Sequence, residues 1–185
     1  FDCVMPCAGA EAFVVTTPEK AQELGLSTAR LSATIERHNA FAEDPVQTRG
    51  GWARDIDALW SAAGCTPQDV DMVQLYDDYP VIVAMQLADL GLCDKAELSQ
   101  FIAAHDFTIT GSMPLNTNGG QLSAGQAGAA GGFQNVTEGL RQVLYCPLGD
   151  QVPDAKRALI SGFGLVNYDR GVCTGAAILE QDVLR

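Results

Sequence analysis

Three observations predict an α/β layered domain for this sequence. Short apolar runs alternate with segments whose apolar residues fall at helical spacing, as strands and helices stacked in layers do. Glycine or proline punctuates nearly every change between the two. A length of 185 residues, 47% hydrophobic and 18% charged, is about one domain with ample apolar surface for a core. At this size roughly 70% of the unfolded chain's surface leaves water on folding.

The run AEAFVV at 10–15 reads as a buried strand. Thr16 then opens a helix: Thr16 and Glu19 have capping-box spacing, Pro18 suits a first turn, and Gly25 ends it. Leu31 to Ile35 alternates with small polar residues as a strand does, and 43–51 is a loop. Trp52, Ile56, Leu59, Trp60 and Ala63 mark a helix closed by Gly64. Thr66-Pro67 starts a short turn, and Met72 to Tyr76 is a buried strand. A helix follows from Pro80 to Gly91; it is apolar nearly all round and is therefore expected to be buried. Asp94 and Glu97 frame a further helix that ends near Ala104. After a segment at 116–132 with six glycines, a long helix runs from about Gly131 to Tyr145. Arg157–Ser161 and Gly175–Glu180 are the last two strands, joined by a loop holding Asn167, Tyr168 and Asp169.

The formal charge of −12, from 11 Lys and Arg against 23 Asp and Glu, excludes a nucleic-acid-binding role, which needs clustered cations. It also suits solubility. No apolar run is long enough to span a bilayer, and no signal peptide is visible. The six cysteines lack the second close pair of a zinc site, so they are expected to be mostly buried apolar residues of a cytoplasmic protein, without disulfides. No metal site is expected, and His38 and His105 read as surface or structural. The chain starts at Phe1 and enters directly into a strand-like run, which reads as a chain lacking an N-terminal part.

Three constellations carry chemistry-bearing residues. Tyr76-Asp77-Asp78-Tyr79-Pro80 lies between a buried strand and a helix N-terminus, where ligands collect in α/β sheets; an ordinary turn with Asp77 or Asp78 as cap is the alternative. Asn116-Thr117-Asn118-Gly119-Gly120, with Ser123-Ala124-Gly125-Gln126, could bring amides close to an anion; close helix packing would use the same glycines. It matches neither a Walker loop nor a dinucleotide fingerprint. Ser161-Gly162-Phe163-Gly164 is either a ligand-lining turn or a plain one.

Taken together, YDDYPVIVAMQLADLGLC (76–93), PLNTNGGQLSAGQAGAAGG (114–132) and ALISGFG (158–164) resemble the C-terminal half of thiolases, closest to the sterol-carrier-protein or lipid-transfer branch. AGAEAFVVTTPEKAQELGL resembles the end of the N-terminal half. The resemblance implies a mixed sheet flanked by helices, with residues 1–63 ending the N-terminal half and its connection and 64–185 forming the C-terminal domain. The nucleophilic cysteine of thiolases lies in the N-terminal half, outside this chain. The His-Asp-Cys-Phe-like motif falls on Tyr76 to Tyr79, so Tyr76 stands in the histidine's place. The Gly-His-Pro motif falls on Gly125-Gln126-Ala127, which puts Gln126 where the second histidine belongs. The Cys-x-Gly motif falls on Ser161 in preference to Cys173.

The resemblance therefore implies a coenzyme A thioester substrate and no bound cofactor. Glutamine neither takes up nor releases a proton near neutral pH, so Gln126 is expected to hydrogen-bond a thioester carbonyl together with Asn116, while Tyr76 transfers a proton or donates a hydrogen bond. Ser161 is assigned to the catalytic set. Ser123, Gly125, Gly162 and Gly164 are expected to line the thioester site. Thiolase-like enzymes that cleave steroid side chains by retro-aldol reaction are similar in having Tyr-Asp at the first motif. Acyl transfer or carbon–carbon cleavage follows as the activity; a catalytically silent acyl-CoA-binding or scaffold subunit is the alternative. A homodimer and an OB-fold, zinc-ribbon partner protein are the expected associations.

Overall fold

The computed structural model describes residues 2–167 and 170–182; Tyr168 and Asp169 of the expected loop lie outside the described residues. Among the described residues, four strands, β1 (Thr28–His38), β2 (Met72–Gln74), β3 (Arg157–Asn167) and β4 (Arg170–Asp182), form one mixed sheet in the order β1-β4-β3-β2. β4 runs antiparallel to both β1 and β3, whereas β2 is parallel to β3. Leu115 adds a parallel bridge to Val73 on the other side of β2.

Among the described residues, six α-helices accompany the sheet: α1 (Pro18–Glu23), α2 (Trp52–Ala63), α3 (Pro80–Asp89), α4 (Leu98–Ala104), α5 (Gly120–Ala124) and α6 (Gly131–Val143). Alternation along β3 divides the core in two. Leu159 joins Trp52, Leu59 and Leu87 of α2 and α3 on one face. Ala158 and Ile160 join Met72 and Val143 of α6 on the other. Strands on both sides of residue 63 share this sheet.

The helix expected from Trp52 has the bounds read from its spacing, with Gly64 in the left-handed conformation as its stop. Trp52 is fully buried, its indole N–H donates to Gly175 O at 2.8 Å, and its ring stacks on Phe163 at 5.8 Å. The first helix is capped by Thr17 rather than Thr16, because the Thr17 hydroxyl is the one that accepts from the Lys20 amide. The run at 10–15 is not a strand: it pairs with none of the four strands, and Val14 and Val15 are 86% and 85% exposed. Apolar character alone does not make a strand, which also needs ladder partners for its backbone groups. The helix from Pro80 is buried on one side only, since Val81 is 72% exposed. No cysteine is fully buried; Cys3, Cys7 and Cys146 are exposed, and all six are free. No described helix is long and apolar enough to cross a membrane.

Asp89, at the end of α3, is buried and accepts the Gly50 amide. Burial raises its carboxyl to about 6, against the pull of the Gly50 amide, Lys95 and Arg49. A folded-state value above the unfolded one means that the native state holds more protons between about pH 4 and 6, so Asp89 makes stability fall as pH rises through that window. Denaturant titrations across this range are expected to show that slope flattened in Asp89→Asn.

Candidate active site

Tyr76 follows β2 and is fixed through its backbone. Gln86 of α3 donates from Nε2 to Tyr76 O at 2.7 Å and accepts the Tyr76 amide at 3.3 Å. The Tyr76 ring leans on Phe163, with centroids 6.3 Å apart, and Phe163 in turn stacks on Trp52. The Tyr76 hydroxyl donates to Asp78 Oδ2 at 2.9 Å and accepts from Gln126 Nε2 at 2.9 Å. Gln126 Nε2 also faces Asp78 Oδ1 and, at 3.1 Å, Gln121 Oε1. An amide nitrogen has two protons for these three acceptors, so one is left free to accept from elsewhere. Tyr76 and Gln126 line one cavity of about 410 Å³ whose wall includes Gly162, Gly164, Leu165 and Val166.

Burial, the Asp78 charge and the hydrogen bond to Asp78 raise the Tyr76 phenol well above its ordinary range; the Gln126 bond opposes this. Tyr76 is thus a protonated donor, not the base that a lowered pKa would make it. Burial also raises Asp78, with Asp77 adding to the effect and the Tyr76 hydrogen bond reducing it.

The glycine segment is held by Asp77, which is 3% exposed and accepts the Gln121 and Leu122 amides at 2.9 and 3.3 Å. The acid therefore caps α5 across the site, not its own following helix. Gly120 (φ 64°) is required here, since a Cβ would sit 2.0 Å from Asp77 Oδ2. Residues 5–7 clamp the other side: Gln126 N donates to Met5 O at 2.9 Å and Cys7 N to Gln126 O at 3.0 Å.

The remaining expected residues separate. Gly162 and Gly164 line the cavity with Tyr76 and Gln126. They lie within β3, which continues through 161–164, so no turn occurs there. Gly125 lines a smaller neighbouring cavity of about 210 Å³ with Cys7 and Gly131. Ser123 is exposed on α5 and lines neither. Asn116 has both ends of its amide on the Leu75 backbone, at 2.7 and 2.9 Å, and so fixes the end of β2 rather than facing a carbonyl. Ser161 is 2% exposed and donates to Gln86 Oε1, on the α3 face of the sheet. Cys173, opposite Gly164 on β4, has its thiol beside His38. Neither Ser161 nor Cys173 lines the Tyr76 cavity. His105 bonds Phe101 O at 2.8 Å and packs at a tilt against its ring. Asp78 and Gln121 were missed as site residues: Asp78 reads equally as a cap, and a lone glutamine in a glycine-rich segment carries no signal.

A layered mixed sheet with these three segments converging at the carboxyl end of β2 defines the C-terminal part of a thiolase-type fold. The chain belongs to the thiolase C-terminal domain-like family, whose pattern matches residues 33–175. A 17-hydroxy-3-oxo-4-pregnene-20-carboxyl-CoA lyase of Mycobacterium tuberculosis is 32% identical over 152 residues, covering 77% of this chain and 38% of the lyase. A steroid side-chain-cleaving aldolase of Thermomonospora curvata is 30% identical, covering 98% of this chain and 46% of the aldolase. The solved structure of an Ltp2-ChsH2(DUF35) aldolase superposes with a TM-score of 0.76 at 25% identity, over 91% of this chain and 43% of that one. The chain spans less than half the length of these relatives.

Proposed function

We propose that this chain supplies the Tyr76–Asp78–Gln126 centre of an enzyme that breaks a carbon–carbon bond in a β-hydroxyacyl-CoA thioester by retro-aldol reaction. The observation that carries the reading is the hydrogen-bonded line from cavity to half-buried carboxylate: Tyr76 lines the cavity, and its hydroxyl donates to Asp78 at 2.9 Å. As the substrate hydroxyl gives its proton to the Tyr76 oxygen, the Tyr76 proton passes to Asp78, so no free tyrosinate forms. The carbon–carbon bond then breaks, leaving a ketone or aldehyde and a thioester enolate. One Gln126 amide proton turns from its protein acceptors to the enolate oxygen, and the proton held at Asp78 returns through Tyr76 to the α-carbon, which completes a shortened acyl-CoA. The names of the lyase and aldolase relatives support this chemistry. Thiolytic acyl transfer fits less well, because neither His38 nor His105 reaches the cavity to serve as an imidazole base.

Within this reading, residues 1–63 contribute the end of a first thiolase half and its connection, and 64–185 the C-terminal domain. A homodimer and a second, zinc-ribbon-type subunit would complete the assembly, as the ChsH2(DUF35) component accompanies the solved aldolase.

The test is product analysis with the whole protein. A β-hydroxyacyl-CoA is expected to yield a carbonyl compound and a shortened acyl-CoA without added coenzyme A. Cleavage that requires free coenzyme A and a 3-ketoacyl-CoA would overturn the proposal in favour of a thiolase. Tight binding with no turnover of either would favour the silent scaffold.

A further inference from the structure

At the opposite edge of the sheet, three donors of different chemistry converge on one point. Glu36 Oε1 lies 2.5 Å and Cys173 Sγ 3.6 Å from the same nitrogen, His38 Nε2. All three donor atoms lie within 4.8 Å of one another. Strand register fixes them there. His38 stands directly opposite Cys173 in the β1–β4 ladder, and Glu36 is two residues along the same strand, hence on the same face. Arg37, between them, turns the other way and pairs with Asp55 of α2.

From this geometry we infer that Glu36, His38 and Cys173 form a divalent-cation site of zinc type. A catalytic relay would use the two ring nitrogens of His38 separately, one for the thiol and one for the carboxylate. Here both partners address Nε2, the arrangement of ligands around a shared centre. With metal–nitrogen and metal–sulfur bonds of about 2.0 and 2.3 Å, tetrahedral donors stand about 3.5 Å apart, close to the observed nitrogen–sulfur separation of 3.6 Å. The carboxylate needs only a small outward shift. A thiolate, a carboxylate and a neutral imidazole balance a dication, and a nitrogen–sulfur–oxygen set favours zinc or cobalt over magnesium or calcium. A fourth position has room: Gly164 pairs with Cys173 and Gly162 with Gly175, and a side chain at Gly162 or Gly164 would meet nothing within 4 Å. Those two glycines also line the Tyr76 cavity, so a ligand completing the ion's shell would sit at its rim.

Cobalt chloride is the probe. Titration into the whole metal-free protein is expected to give one cobalt per chain with a thiolate-to-cobalt absorption band, reversed by zinc chloride. Cys173→Ser should abolish the band while the other five cysteines remain. His38→Ala and Glu36→Gln should each weaken binding at least about tenfold, since even outer partners of metal ligands are worth 10–100-fold. Circular dichroism checks folding, and His38→Ala decides the matter if Cys173→Ser does not fold. No saturable binding, or a band that persists in the variants as adventitious binding at another cysteine, overturns the inference. None of these measurements depends on how the Tyr76 centre acts.

Discussion

Tyr76→Phe is expected to lower kcat for carbon–carbon cleavage by about 10²–10⁴-fold, the usual contribution of one positioned proton-transfer group, with KM little changed. The substitution removes one oxygen. The ring keeps its contact with Phe163 and the backbone its two bonds to Gln86, so the loss falls on chemistry rather than folding. Steady-state kinetics of the whole protein checks this, and a fall of less than about threefold would reduce Tyr76 to a wall of the cavity. Asp78→Asn separates the two members of the relay. Burial raises the Asp78 carboxyl, and the relay needs it ionised to receive the proton. Rate should therefore climb with pH along a limb lying above the ordinary carboxylate range. In Asp78→Asn that limb should disappear, while Tyr76→Phe leaves a residual rate that no longer follows it.

The parts of this molecule that could be read from sequence are those whose signal is local. The second helix announces itself through the spacing of Trp52, Ile56, Leu59 and Trp60 and through the Gly64 stop. Three ordered motifs that resemble a single family put Tyr76 and Gln126 in the places of its two histidines, and the structure brings the two side chains to 2.9 Å. What could not be read depends on partners far along the chain. SGFG looks like a turn, yet Gly162 and Gly164 pair with Gly175 and Cys173 and extend the strand. Asn116 looks free to polarise a carbonyl, yet Leu75, 41 residues earlier, holds both ends of its amide. Asp77 and Asp78 are indistinguishable as letters. One caps a helix 44 residues on, and the other faces the phenol.

The largest loss of stability is expected at Trp52→Ala, about 3–5 kcal/mol, the range for truncating a buried large aromatic. Trp52 is fully buried at the centre of the larger core, so its removal leaves a cavity between α2 and the sheet. The indole bond to the Gly175 carbonyl would also be lost, which adds to the cost. Urea unfolding with an unchanged slope and a lowered midpoint checks the figure. A loss under about 1 kcal/mol would mean that Trp52 is not part of the core. The substitution also reaches the site, because Trp52 backs Phe163 and Phe163 backs Tyr76. Trp52→Phe keeps a ring in that stack but loses the indole N–H, so it should be less destabilising and recover most of the rate at temperatures where both variants are folded. If Trp52→Ala and Trp52→Phe turned over equally fast when folded, the aromatic stack would support the fold without positioning the phenol.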